Sequence, residues 1–199
     1  MIHKFVITGG PCGGKTTALE ILKQHFTSLG FKVFIIPEAA TEIVSLGLSF
    51  GEISTNNFQD FVIKRMLHSE DCVENIAKNF SENVIIFCDR GLLDNKAYMP
   101  YEDFIKVLAN NGLTEKEAID RYNAVFHLVT AANGAENYYT LSNNTVRFES
   151  LEEAKELDKK TLNAWNIHDN LKIIDNSSNF EEKVNRLINE ITNLMFNQK

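Results

Sequence analysis

Three short stretches of this chain carry side chains that, once brought together, could handle a phosphate group. Near the start, Gly9 is followed after four residues by Gly14-Lys15-Thr16, which fits the pattern G-x-x-x-x-G-K-[ST] without a mismatch. Glycines let a backbone curl until several N–H groups face one anion, and the start of a helix adds partial positive charge. In such a loop Gly10, Pro11, Cys12, Gly13 and Gly14 form the cradle, and Lys15 places a full charge at the outer phosphates. Thr16 offers a hydroxyl to Mg²⁺, and Thr17, opening the helix, reaches the inner phosphate. The other two stretches are Pro37-Glu38 and Asp89-Arg90.

Each acid has two readings. Asp89 ends an apolar run, Val84-Ile-Ile-Phe-Cys88, which fits a Walker B strand whose aspartate holds the metal directly or through water. The bland alternative is a solvated turn carboxylate. Arg90 beside it would reach the transferring phosphate or the acceptor oxygen. Glu38 follows Lys32-Val-Phe-Ile-Ile36-Pro37 and would stand at the mouth of a sheet, where a carboxylate accepts the proton of an attacking hydroxyl. Alternatively it favours the dipole of a helix starting at Ala39. Cys12, inside the loop, is either a tolerated small residue or an oxidisable thiol.

The elements that must position these groups are legible in order. Lys4–Thr8 and Lys32–Ile36 read as strands, and the apolar spacing of Leu19, Leu22, Phe26 and Leu29 predicts a helix from Lys15 to Gly30 between them. Strand, glycine turn, helix and strand make a βαβ unit, which requires a buried parallel sheet. Val84–Cys88, Val125–Val129 and Leu171–Ile174 supply three more strands. Helices are expected over Asn56–Phe80, Tyr101–Asn110, Glu115–Tyr122 and Leu151–Trp165. A last one is expected to open on the capping-box pattern Ser178-x-x-Glu181 and to carry a core-facing stripe. The fold class is therefore α/β: a five-stranded parallel sheet flanked by helices. Ligands of such sheets gather at the carboxyl ends of the strands, where Glu38 and Asp89 fall. The Asn-, Ala- and Tyr-rich stretch 131–144 after the fourth strand reads as a mobile flap.

With 199 residues, 44% of them apolar and 24% charged, the chain suits one domain over residues 1–199. An excess of 27 acidic over 20 basic residues, net −7, disfavours nucleic acid and anionic membranes as partners. Three cysteines without C-x-x-C spacing indicate neither a disulfide framework nor a zinc site and point to a reducing cytoplasm. No signal-peptide core or apolar run of membrane-spanning length is visible, so neither export nor membrane insertion is expected.

Gly9–Thr16, Pro37-Glu38 and Asp89-Arg90-Gly91, in that order, resemble the P-loop kinase superfamily, particularly deoxynucleoside kinases and the nicotinamide-riboside kinase domain. GGPCGGKTTAL, PEAATEIV, CDRGLLDNKAY, FHLVTAANGAENYYTL and LDKKTLNAW are most similar to a branch of ATP/GTP-binding proteins akin to the fly translocation-defect protein. The resemblance covers nearly the whole chain. It implies a nucleoside- or nucleotide-kinase-like fold with an acceptor region at about 38–80 and a lid at about 131–150. It makes Glu38 a general base, Asp89 a metal-coordinating acid and Arg90 a clamp. Arg147 falls where such kinases place a lid arginine, and Asn176 where relatives contact the purine. Phe58-Gln59 resembles a base-reading Phe-Gln pair, with Arg65 on the same helix, so Gln59 and Arg65 are the implied acceptor contacts.

Only five arginines occur in the chain, fewer than nucleotide-monophosphate kinases usually bring to a phosphorylated acceptor, so an uncharged hydroxyl acceptor fits better. Two functions compete. One is a Mg²⁺-dependent transfer of the γ-phosphoryl of ATP or GTP to a small molecule such as a nucleoside. The other is a nucleotide-binding regulator with a protein or phosphoinositide partner, a class the fly protein's relatives suggest. Glu38, Asp89-Arg90 and Arg147 favour transfer, because a pure switch does not need the first and last together. A motor of the AAA+ type fits poorly: the chain is short for an added helical lid domain and shows no obvious sensor arginines.

Overall fold

A computed structural model of the chain describes residues 1–48, 51–135 and 150–196. Five strands, β1 (Ile2–Thr8), β2 (Lys32–Ile36), β3 (Val84–Asp89), β4 (Ala124–Leu128) and β5 (Leu171–Ile174), pair in the order β2-β3-β1-β4-β5. Every pairing is parallel. The connecting helices are α1 (Lys15–Ser28), α2 (Ala39–Ser45), α3 (Thr55–Ala77), α4 (Tyr101–Asn110), α5 (Glu115–Asp120), α6 (Leu151–Trp165) and α7 (Phe180–Phe196), with a 3-10 turn at Leu92–Ala97.

Helices cover both faces of the sheet, so its strands read as unbroken apolar runs while alternate residues serve two separate cores. Phe5, Ile7, Ile85, Phe87 and Phe126 face Leu19, Leu22 and Phe26 of α1 and Val184, Leu187 and Ile191 of α7. Val6, Val84, Ile86, Cys88 and Val125 face Val62, Ile63 and Met66 of α3, Phe104 and Leu108 of α4, and Ala164 and Trp165 of α6. No helix among the described residues is long and apolar enough to cross a membrane.

Register decides what meets at the carboxyl end. Ile7 of β1 pairs with Asp89 on one side and Phe126 on the other, and Thr8 pairs with His127. The loop leaving β1 is therefore flanked by Asp89 and by the chain leaving β4.

Several expected boundaries shift, among them those of β1, which starts at Ile2, α1, which ends at Ser28, and β4, which spans Ala124–Leu128. Helix α3 starts earlier, where the Ser54 side chain accepts from Asn57 N, and ends at Ala77. α5 stops at Asp120. The capping role assigned to Ser178 belongs to Asn179, whose Oδ1 accepts from Glu182 N at 2.9 Å. Ser178 Oγ instead accepts from Arg186 Nη2 at 3.2 Å.

Candidate functional site: a phosphate loop flanked by two acids

The loop Gly9–Gly14 joins β1 to α1. Gly9 has φ 137° and a Cβ there would stand 2.1 Å from the Leu128 carbonyl oxygen, so only glycine fits where the chain leaves the sheet. Gly14 precedes α1 in the left-handed region, at φ 82°, and gives the helix no side-chain cap; the first turn holds no acid either. By contrast α3, α5 and α6 are capped by Ser54, Thr114 and Ser150. An anion at the start of α1 would therefore compete with neither a capping side chain of Gly14 nor an acid of the first turn.

The loop's far side is held by carbonyl bonds. Thr130 Oγ1 donates to Pro11 O, Ala131 N donates to Cys12 O at 3.3 Å, and Lys183 Nζ donates to Gly13 O at 3.3 Å. In a trans peptide the C=O of one residue and the N–H of the next point in opposite directions. Tying these three carbonyls toward β4 therefore turns the N–H groups of Cys12, Gly13 and Gly14 the other way, into the cradle. Cys12 at φ 55° and Arg90 at φ 73° are the only non-glycine residues at positive φ among those described, a cost of about 1–3 kcal/mol each that the surroundings must overrule. Both lie in the site.

Lys15 is buried, its ammonium donating to Gly9 O and Gly10 O, each at 3.1 Å. Arg90 is buried as well. Its Nε donates to Glu38 Oε1 at 2.5 Å, and its Nη1 lies 3.3 Å from Gly9 O and 3.5 Å from Asp94 Oδ1. Burial pushes the Glu38 carboxyl up, but Arg90 and Lys15, with hydrogen bonds from Arg90 and Thr41, outweigh it and hold the group at about 2. Asp89 responds the opposite way: burial pushes it up, and the neighbouring Glu38 and Asp94 carboxylates add to that against Lys15 and Arg90. Its Oδ1 is buried with no hydrogen-bond partner among the described residues.

That orphaned oxygen bears on the metal. The described residues contain no group of three or more His, Cys, Asp or Glu able to cage an ion. Mg²⁺ does not need one, since it is commonly held by one or two carboxylates, water and the phosphates themselves. Asp89, with the exposed Thr16 hydroxyl at the start of α1, fits such a shared site.

Sequence reasoning missed Asp94, Asp158, Thr130 and Lys183. Asp94 is buried in the 3-10 turn, where its carboxylate accepts from Thr8 Oγ1, from Gly91 N at 2.8 Å and from Trp165 Nε1 at 3.1 Å. It fixes the turn that presents Arg90.

The remaining expected site residues are placed as follows. Asn176 donates from Nδ2 to Thr130 O at 2.8 Å and Asn133 O at 2.7 Å, and its Oδ1 accepts from Lys183 at 2.7 Å. Both ends of the amide expected to meet the purine are spent on bracing loops. Arg65 pairs with Glu42 through Nε at 2.9 Å and Nη2 at 3.3 Å, joining α3 to α2 at the surface. Gln59 is buried on α3. Of the expected flap, Ala131 and Ala132 are buried, and Ala131 N donates to Cys12 O of the phosphate loop; residues 136–149, Arg147 among them, lie outside the described residues.

No curated protein matches the chain significantly. A family profile described as AAA domain matches residues 4–183. With that match spanning nearly the whole sheet and the phosphate loop at its centre, the chain belongs to this AAA-domain family and is a nucleotide-binding P-loop NTPase domain.

Proposed function

We propose that this protein is a cytoplasmic, Mg²⁺-dependent phosphotransferase that moves the γ-phosphoryl group of ATP or GTP to a hydroxyl of a small molecule, a nucleoside being the model acceptor. The observation that carries the proposal is the Glu38–Arg90 pair, 2.5 Å apart, beside the orphaned Asp89 oxygen at the phosphate loop. A domain that only binds nucleotide has no need of a proton acceptor and a fixed guanidinium there.

In this reading the cradle and Lys15 hold the triphosphate, and Arg90 faces the charge that develops during transfer. Asp89 and Thr16 would hold Mg²⁺, which would offset negative charge on the phosphates. Glu38 takes the proton of the attacking hydroxyl. At about 2 its carboxyl is too acidic for that work in the ligand-free protein. The cations responsible are those a triphosphate would partly neutralise, so donor binding raises the basicity of Glu38 and readies it only once the donor is in place. Arg147 is assigned to the lid that closes over the phosphate, and Gln59 and Arg65 to the acceptor side, Arg65 after release from Glu42.

Glu38→Gln keeps size and hydrogen bonding but cannot take a proton, so acceptor-dependent ADP release should fall by roughly 10²-fold with donor affinity nearly unchanged. A panel of nucleosides, ribosides and sugars that elicits no turnover from the parent protein would overturn the reading. The second reading, a nucleotide-dependent regulator, is favoured by the bond from Ala131 N to Cys12 O of the phosphate loop, which gives nucleotide a route to the segment after β4. It predicts binding without acceptor-stimulated turnover.

A further inference from the structure

The phosphate loop is gripped from its first peptide by a carboxylate on another element. Asp158, buried on α6, accepts through Oδ1 from Gly10 N at 2.6 Å and from Thr130 N at 3.2 Å. The same oxygen stands 3.1 Å from Nε2 of the wholly buried His127 on β4. A Cβ on Gly10 would meet Asp158 Cβ at 2.7 Å, so the loop and the helix touch with no room between them.

One oxygen atom thus joins three elements: the start of the phosphate loop, the chain leaving β4, and α6. The same loop is held through Pro11 O by Thr130, Cys12 O by Ala131 and Gly13 O by Lys183, which adds a bond to Val129 O at 2.8 Å. Asp158 is the acidic member of this set, and two N–H donors on one carboxylate oxygen are charge-assisted bonds of the stronger kind. Burial works against its ionisation, but His127 and these N–H groups hold the carboxyl below its ordinary range.

We propose that Asp158 is a positioning residue of the nucleotide site: through Gly10 and Thr130 it keeps the phosphate loop curled for an anion and makes nucleotide affinity depend on the placement of α6. The proposal rests on the assignment of Gly9–Thr16 as the nucleotide loop. Asp158 touches no phosphate in this scheme; by holding Gly10 N it turns the Gly9 carbonyl toward Lys15 and Arg90, and by holding Thr130 N it steadies the residue that bonds Pro11 O.

The test is calorimetry with MgATP and with inorganic tripolyphosphate on the full chain. Asp158→Ala should weaken both by roughly tenfold, since it removes two charge-assisted bonds that only partly report in affinity. Asp158→Asn, whose amide oxygen still accepts both N–H bonds, should recover most of the loss. Ala154→Gly, on the same helix but outside the network, is the control for mere loosening of α6 and should bind as the parent does despite a lower melting temperature. Hydrogen exchange supplies an independent readout: tripolyphosphate should protect amides 130–133 in the parent and not in Asp158→Ala. Parent-like affinity in Asp158→Ala, or an equal loss in Ala154→Gly, overturns the proposal. If Asp158→Ala does not fold, Asp158→Glu decides, because its carboxylate is displaced by one methylene; parent affinity there overturns the proposal and a loss supports it. Lys15→Ala is run alongside: unchanged affinity in that variant rejects the nucleotide-loop assignment itself.

Discussion

The Glu38–Arg90 pair makes a prediction about stability that needs no knowledge of the acceptor. Glu38 falls from an ordinary 4.5 to about 2 in the folded protein, and its side chain is 20% exposed, buried enough for the shift to weigh on folding. A carboxyl whose folded pKa lies below its unfolded value stabilises the fold fully above the unfolded value, and that contribution fades as pH falls toward the folded one. At about 1.4 kcal/mol per decade, the contribution at pH 7 is at most about 3 kcal/mol, and about 2 kcal/mol of it is lost between pH 6 and pH 3. Glu38→Gln cannot titrate. It also leaves Arg90 with Gly9 O and Asp94 rather than with nothing, which favours a folded variant. Urea unfolding of parent and variant at intervals from pH 7 to pH 3 measures the difference. The variant should be less stable at pH 7, with the gap closing by about 2 kcal/mol by pH 3. A gap that stays constant across this range would refute the argument that Arg90 and Lys15 hold Glu38 ionised.

Two further outcomes follow from buried charges. Asp89→Asn keeps the shape of the side chain and removes its attraction for a cation, so triphosphate binding should lose its Mg²⁺ dependence more than its strength; a metal titration that matches the parent's would place the ion elsewhere. Lys183 is lowered from 10.5 to about 8, chiefly by burial. Above that value the unfolded chain binds the extra proton, so stability relative to Lys183→Met should rise by about 1.4 kcal/mol from pH 7 to pH 9; a flat difference would mean that the ammonium is not desolvated.

Where structure depended on neighbours in sequence, the chain was readable. The glycine spacing around Lys15 and the apolar runs before Glu38 and Asp89 located the loop and two strand ends, because a buried parallel strand leaves no other pattern. Asp158 was hidden for the converse reason: among Glu156, Lys159 and Lys160 it looks like one more charge on a wet helix, and its partners Gly10 and Thr130 are 148 and 28 residues away. Asp94 sits in a 3-10 turn, which has no periodicity of its own. At α7 both Ser178 and Asn179 stand three residues before a glutamate, so pattern alone was a tie that geometry broke in favour of Asn179.

The bare N-terminus of α1 has a consequence for finding the ligand. A helix without a side-chain cap forgoes about 1 kcal/mol that a Ser or Asp would supply, a place that an arriving anion can take. Nucleotide that binds the folded domain and not the unfolded chain stabilises the fold, so folding and occupancy are linked. A compound present at a hundred times its Kd would add about 2.7 kcal/mol to the folded state, several degrees in a melting curve for a domain of this size. The domain therefore acts as its own sensor: ranking ATP, GTP and their analogues by the temperature at which it unfolds identifies the preferred nucleotide before any reaction is known.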